Sequence, residues 1–276
     1  MHQNNFFKVS FKNRAIWVIG SLIFQIATVF FFYYKYNYPE TAPLPQAIDI
    51  VELQNQVSGK ITITDQSSTS EISNQQEQKP VANIIPPTEL NLKLTFYSQA
   101  PFADWSMPWQ EACEEASILL VANSYFQHNW NRTEFNQQIL DLVEWEKKRF
   151  GQYEHTNVEE MQAMLKEYFQ LESIVHENPT LEDIKKILAQ GHLIVAPFGG
   201  KILGNPNYTN GGPAYHAMVI KGYTKEGKVI THDVGTRKGE DYVYTWEKIN
   251  TALHDYAEPI EQGPKRLIEV LPPSTK

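Results

Sequence analysis

The segment Trp109-Gln110-Glu111-Ala112-Cys113-Glu114-Glu115-Ala116-Ser117-Ile118-Leu119-Leu120 decides how the chain is read. It opens polar and turns apolar at helical spacing, so a helix starts near Cys113. Cys113 is the only cysteine among 276 residues. A thiol at that point lies close to the partial positive charge of unpaired N–H groups, which favours its thiolate. Taken alone, a free cysteine is more often a small packed side chain than a reactive one. Far downstream, a histidine opens the apolar run Tyr215-His216-Ala217-Met218-Val219-Ile220, and an aspartate closes Val229-Ile230-Thr231-His232-Asp233. Cysteine, histidine and carboxylate form the minimal set for thiol-based acyl transfer.

The pattern around these residues sets the fold class. Leu90 to Phe96 alternates apolar and polar residues, as a strand does. After the Cys113 helix, Thr133 is positioned to cap a second helix that runs to Phe150 and ends at Gly151. Thr156-Asn157-Val158-Glu159 is a capping pattern for a third, to Phe169. Thr180-Leu181-Glu182-Asp183 opens a fourth that stops at Gln190-Gly191. The period then changes. Leu193 to Pro197, His216 to Gly222, Lys228 to Asp233 and Asp241 to Thr245 read as strands, with a turn at Glu226-Gly227. Trp246 to Tyr256 reads as helix and Arg266 to Val270 as a last edge strand. Helices first and an antiparallel sheet later is the α+β arrangement. Gly199 to Pro213, with five glycines, leads straight into His216 and is expected to line a substrate site.

Composition divides the chain into regions. Ala15 to Tyr34 carries no charge, and about 20 residues at ~1.5 Å rise cross the ~30 Å hydrocarbon core. Lys8, Lys12 and Arg14 precede it, so residues 1–14 form a cytoplasmic tail and everything after the 15–34 transmembrane anchor lies outside. A cleaved signal peptide would have a shorter apolar region followed by small residues, and here the run ends in bulky aromatics. Residues 35–88 are rich in Gln, Ser, Thr and Pro and read as a flexible stalk, with apolar islands such as Ile48, Ile50 and Val51 leaving room for a local element. Residues 89–276 have the size and apolar density of a domain.

The same composition excludes several functions. A net charge of −8 gives no basic stripe for nucleic acid. No Gly-Lys-Ser/Thr signature is present, so no nucleotide is expected. One cysteine allows no intrachain disulfide, no Cys–His spacing suits a metal, and no cofactor is expected.

A helix followed by a small antiparallel sheet, with Cys on the helix and His and Asp on successive strands, resembles the papain-like cysteine peptidases. More narrowly the chain is similar to cysteine peptidase family 39, the bacteriocin-processing, double-glycine type, in its stand-alone branch. Four stretches carry the resemblance: Phe96 to Pro101, Cys113 to Ser117, Tyr215 to Val219 and Thr231 to Thr236. It implies a papain-like fold and a peptide or protein substrate, the fold being preceded here by the one transmembrane helix read at 15–34. Cys113 would be the nucleophile, His216 the proton donor to the leaving amine, and Asp233 the group that orients the imidazole. His232, beside Asp233, competes with His216 but points to the opposite sheet face from that aspartate. Asp233 itself suits a simple turn-capping role before Gly235. For the oxyanion, the family's glutamine is matched by Gln99 if Phe102 to Pro108 is an insertion, with Gln110 as the alternative and the Cys113 backbone N–H as second donor. Glu114 departs from the family, which often has Gly there. A carboxylate at that place suits the helix dipole but repels an acidic substrate.

The expected function is a membrane-anchored, extracytoplasmic thiol hydrolase, a cysteine peptidase cleaving peptide or amide bonds. The alternatives are an inactive peptidase-like module that binds peptide or glycan, and a cell-wall amidase or transpeptidase using the same triad.

Overall fold

Strand β4 (Tyr215–Tyr223), which carries His216, is the hub of the sheet. It lies between β3 (Leu193–Gly199) and β5 (Val229–His232), and takes β1 (Leu90–Asn91) over its end, all antiparallel. With β6 (Tyr242–Tyr244), β2 (Ser173–Glu177) and β7 (Arg266–Val270), the order is β2-β7-β3-β4-β5-β6. Every residue of β3, β4 and β5 is buried, so these strands show continuous apolar runs rather than alternation.

The computed structural model describes residues 24, 25, 28, 43–56 and 84–273. They fall into two units, residues 1–44 and residues 45–276. In the first, Thr28 Oγ1 donates to the Phe24 carbonyl at 2.7 Å, one helical turn back. The tail expected at 1–14, nearly all of the anchor expected at 15–34 and the central part of the stalk lie outside the described residues. Among the described residues no helix is long and apolar enough to cross a membrane.

The second unit is a mixed helix and antiparallel-sheet fold, with its helices α2 (Cys113–Tyr125), α3 (Arg132–Arg149), α4 (Val158–Ala163) and α5 (Leu181–Ala189) preceding most of the strands. Helix α2 is buried from Cys113 through Asn123 because α3 covers one side and β3 and β4 the other. The caps differ in detail from the sequence reading. Asn131 rather than Thr133 caps α3, accepting from the Thr133 and Glu134 N–H groups while Glu134 returns a bond. Asn157 and Glu160 form the capping box of α4, and Thr180 with Asp183 that of α5. In both shifted cases an Asn adopts the extended backbone that a cap requires. Strand β2 escaped the sequence reading: it is five residues long, pairs only with β7, and shows little alternation.

The first strand is shorter than the 90–96 alternation implies. Only Leu90 and Asn91 pair regularly with β4, at Tyr223 and Gly222. A β-carbon on Gly222 would lie 2.4 Å from the Leu90 carbonyl oxygen, so glycine is what allows β1 to approach. Beyond it, Leu92 N–H donates to Lys221 O at 2.9 Å, and Lys93 N–H turns to Ile48 O at 2.8 Å.

That last bond corrects the stalk boundary. Residues 45–56, placed by composition in a flexible linker, pack against the domain. Ile48 N–H donates to Asn91 O at 2.8 Å. Asp49 then caps helix α1 (50–56), its carboxylate accepting from Val51 N–H at 2.9 Å. Ile50 and Leu53, three residues apart, lie on one face and join the core. Short apolar islands need only one turn of helix to reach a hydrophobic surface. Replacing Ile50 and Leu53 by alanine in the full chain is expected to lower unfolding free energy by roughly 2 kcal/mol each, the low end of core truncations. A urea midpoint unchanged in the double variant would show that this segment does not belong to the folded unit.

Candidate active site

Cys113 is the first residue of α2 and is buried. The Ala217 backbone on β4, one residue after His216, favours its thiolate, but less than the effects that oppose it. Its thiol donates to Glu114 Oε2 at 2.9 Å. The helix N-terminus does not win here. Burial, then the Glu114 carboxyl, push the thiol well above its ordinary range, so Cys113 rests as a neutral thiol.

His216 and Asp233 come together as expected. His216 Nε2 lies 2.9 Å from Asp233 Oδ1, and both side chains are essentially inaccessible to solvent. Asp233 also receives Gly235 N–H (3.1 Å), Asn205 Nδ2 (2.9 Å), Tyr208 OH (2.7 Å) and Tyr244 OH (2.6 Å). Burial would raise this carboxyl, but the His216 charge and the hydrogen bonds from His216, Tyr244 and Tyr208 outweigh it and hold the group at about 2. An ionised Asp233 fixes the proton of His216 on Nε2. The other nitrogen, Nδ1, is then the basic one, and it is buried with no hydrogen-bond partner. The thiol and the imidazole thus share one neighbourhood without a bond between them.

His232 faces elsewhere, as the strand alternation requires. Its Nδ1 accepts from Asp241 N–H at 3.2 Å and its Nε2 lies 3.3 Å from Leu94 O. Burial, then Lys221, lower it to about 4, so it stays neutral and acts as a structural histidine. Gln99 is buried beside the turn that delivers Cys113, donating through Nε2 to the Trp109 and Gln110 carbonyls at 2.9 and 3.0 Å. Both amide hydrogens are used there, while Oε1 has no partner. Gln110 is exposed and donates to Glu111 at 3.2 Å.

Four features were not read from the sequence. The glycine-rich segment, expected to line a substrate site, supplies Asn205 and Tyr208 as donors to Asp233. Helix α6 (Gly200–Leu203) ends at Gly204, which is left-handed (φ +60°), and the chain then turns toward the carboxylate. Tyr244 reaches the same oxygen from β6. Gly235 packs on the imidazole: a β-carbon there would lie 2.8 Å from His216 Cε1. The sequence signal was the polar and aromatic content of the segment before His216, which says nothing about direction.

The fourth feature is a buried acidic cluster behind the nucleophile. Glu114 and Glu115 of α2 and Glu146 of α3 are almost inaccessible. Thr156 Oγ1 donates to Glu146 Oε1 at 2.9 Å. Burial lifts Glu146 to about 7 and Glu114 to about 8, and lifts Glu115 well above the carboxylate range, with neighbouring carboxyls adding to the effect at Glu114 and Glu115. At neutral pH the cluster therefore carries protons.

A thiol on a helix facing an imidazole–carboxylate pair on a sheet can pass a proton from sulfur to Nδ1 and attack a carbonyl carbon, the chemistry of thiol hydrolases. The Peptidase_C39 like family model matches residues 91–259, and the chain belongs to this family. Membership makes it a relative of cysteine peptidases, acting on peptide or protein. Among solved structures it is similar to a Bacillus anthracis protein proposed to be a C39-like peptidase, at 15% identity over 68% of this chain and 99% of that one, with a TM-score of 0.46. No curated protein matches the sequence.

The acidic cluster sets an unusual stability profile. A glutamate titrates near ~4.3 when unfolded, whereas Glu146 and Glu114 titrate at about 7 and about 8 in the fold. The folded state therefore holds protons the unfolded chain releases, and this stabilisation is full at low pH and lost as pH rises through 7 to 8. Asp233 and Glu269, both lowered to about 2, work the other way only in acid. Melting temperature is expected to fall by on the order of 5 °C between pH 5 and pH 8.5. The slope is expected to flatten in Glu115→Gln. A melting temperature that rises over the same interval would contradict protonated carboxyls.

Proposed function

We propose that this chain is a stand-alone, membrane-anchored cysteine peptidase whose catalytic domain faces the extracytoplasmic side. The observation that carries the catalytic part is the polarity of His216: Nε2 is engaged by an ionised Asp233, and Nδ1 is left basic, buried and without a partner, on a strand whose flanking residues Tyr215 and Ala217 both bear on the Cys113 thiol. Because that thiol is neutral at rest, its proton moves when a substrate carbonyl is in place. The S–H bond breaks, the proton goes to His216 Nδ1, and sulfur bonds to the carbonyl carbon. The imidazolium then protonates the departing amine and leaves a thioester on Cys113. Water, deprotonated by His216, releases the acid and restores the thiol. Asp233 keeps the ring in the tautomer this sequence needs and stabilises its charge.

The negative charge on the carbonyl oxygen needs donors. The Cys113 backbone N–H is one. Gln99 is the side-chain candidate, since it is buried at the turn before the nucleophile whereas Gln110 is exposed. It serves only if one of its amide hydrogens leaves the Trp109 or Gln110 carbonyl when substrate binds.

The expected outcome is loss of peptide-library cleavage by at least about a thousandfold in Cys113→Ala and in His216→Ala. Cleavage by Cys113→Ala equal to that of the parent would overturn the peptidase reading.

Topology rests on the charge-free stretch at 15–34 with Lys8, Lys12 and Arg14 before it. Protease added outside intact cells is expected to remove the domain from the membrane fraction. Protection of the domain until the cells are lysed would reverse the orientation.

A further inference from the structure

Glu114 sits against the nucleophile, and the peptidase chemistry above leaves it without a role. It follows Cys113 in the first turn of α2, is 1% exposed, and its Oε2 lies 2.9 Å from the sulfur. That separation serves a proton resting on either atom, and the two arrangements have opposite consequences. With the proton on the carboxyl, the O–H group donates to sulfur and favours the thiolate. With the carboxyl ionised, the S–H group donates to oxygen, and a thiolate formed there would sit beside a second buried anion.

The surroundings decide which arrangement the site can use. The titratable groups facing Glu114 are Cys113 and Glu115 on its own helix, Glu111 from the turn before it, Glu146 from α3 and Tyr215 from β4. None of these is a cation. His216, next to Tyr215 on the strand, is the group that accepts the thiol proton, and its ring faces Asp233 at 2.9 Å; His155 lies further out, 4.0 Å from Glu111. A thiolate formed by that transfer meets no second anion on its own side only while Glu114 is neutral. Once Glu114 is ionised, the thiolate, Glu114 and Asp233 would be three anions against one imidazolium in a region closed to solvent.

We propose that Glu114 is a protonation switch on the nucleophile, which becomes a thiolate only while the Glu114 carboxyl carries its proton and donates it as a hydrogen bond to sulfur. In the active arrangement the thiol proton moves to His216 Nδ1 and the Glu114 O–H bond stays intact. In the inactive one, Glu114 releases its proton to solvent, its carboxylate accepts from the S–H group, and sulfur remains a thiol. Glu114 is a positioning residue: it acts on the sulfur and does not touch the scissile bond. Burial and the surrounding carboxyls raise Glu114 to about 8, so the switch lies just above neutrality. This inference rests on the Cys113–His216 reading and adds to it an alkaline limit with an assigned group.

The test needs no substrate. Iodoacetamide alkylation of Cys113, the only thiol, is followed in the full chain from pH 6 to pH 9 for the parent, Glu114→Gln and His216→Ala. The parent is expected to react on a plateau that falls through about pH 8. Glu114→Gln keeps a donor to sulfur and cannot ionise. Its plateau is expected to extend about one pH unit further, giving rates within ~3-fold of the parent at pH 6 and ~10-fold above it at pH 9, since one unit of displacement is tenfold. If Glu114→Gln superimposes on the parent while His216→Ala loses the plateau, the switch is wrong and the thiol–imidazole reading survives. If His216→Ala also matches the parent, both fail. A parent rate that climbs steadily through pH 8 overturns the switch without any variant.

Discussion

The site depends on keeping one carboxylate ionised inside a dry core. Asp233 is fully buried, a situation that would ordinarily force a carboxyl to hold its proton. Five donors prevent this: the His216 ring, the Gly235 backbone, the Asn205 amide, and the Tyr208 and Tyr244 hydroxyls. Burial and the facing carboxylate push both tyrosines far above their usual range, so they remain donors. From this follow the tautomer of His216, the free basic nitrogen, and the direction in which a thiol proton can move. The donors come from the segment before β4, from the turn after β5 and from β6, so half of the sheet is organised around a single pair of oxygens.

The other half of the site has the opposite electrostatics. Glu114, Glu115 and Glu146 lie in a region without a facing cation, and they answer burial by keeping their protons. Two carboxyl environments a few side chains apart are thereby driven in opposite directions, one well below the usual range and one well above it. Such divergence is what separates acid and base roles in one site. It also explains why the helix N-terminus fails to lower the Cys113 thiol. The partial charge of unpaired N–H groups is small beside full desolvation and an adjacent carboxyl.

Much of the fold was legible because it rests on local chemistry. The Thr180–Asp183 cap lies where propensity and pattern put it. Arg266–Val270 is a strand as expected but lies inside the sheet, between β2 and β3, and not at its edge, because β2 adds to its outer side. The misread places are those where a distant partner decides. Leu90 to Phe96 alternates as a strand would, yet after Asn91 its backbone is divided between Lys221 and Ile48. Residues 45–56 sit in polar, low-complexity surroundings, and only the hydrophobic face they meet makes them part of the domain. Strand β2 is specified by β7, ninety residues later, more than by its own five residues.

The sequence by itself determined which groups are available: one thiol at a helix start, a histidine opening an apolar strand, an aspartate closing the next, and an uncharged stretch near the N-terminus. Those assignments follow from periodicity and from the alternation of side chains along a strand, both of which act over a few residues. What only the tertiary structure decided is the protonation of those groups. Whether Asp233 is ionised, which nitrogen of His216 is basic, and whether Cys113 and Glu114 hold their protons depend on burial and on donors brought from elements far apart in the chain. Desolvation and hydrogen bonding are properties of the packed neighbourhood, and no local pattern of residues encodes them.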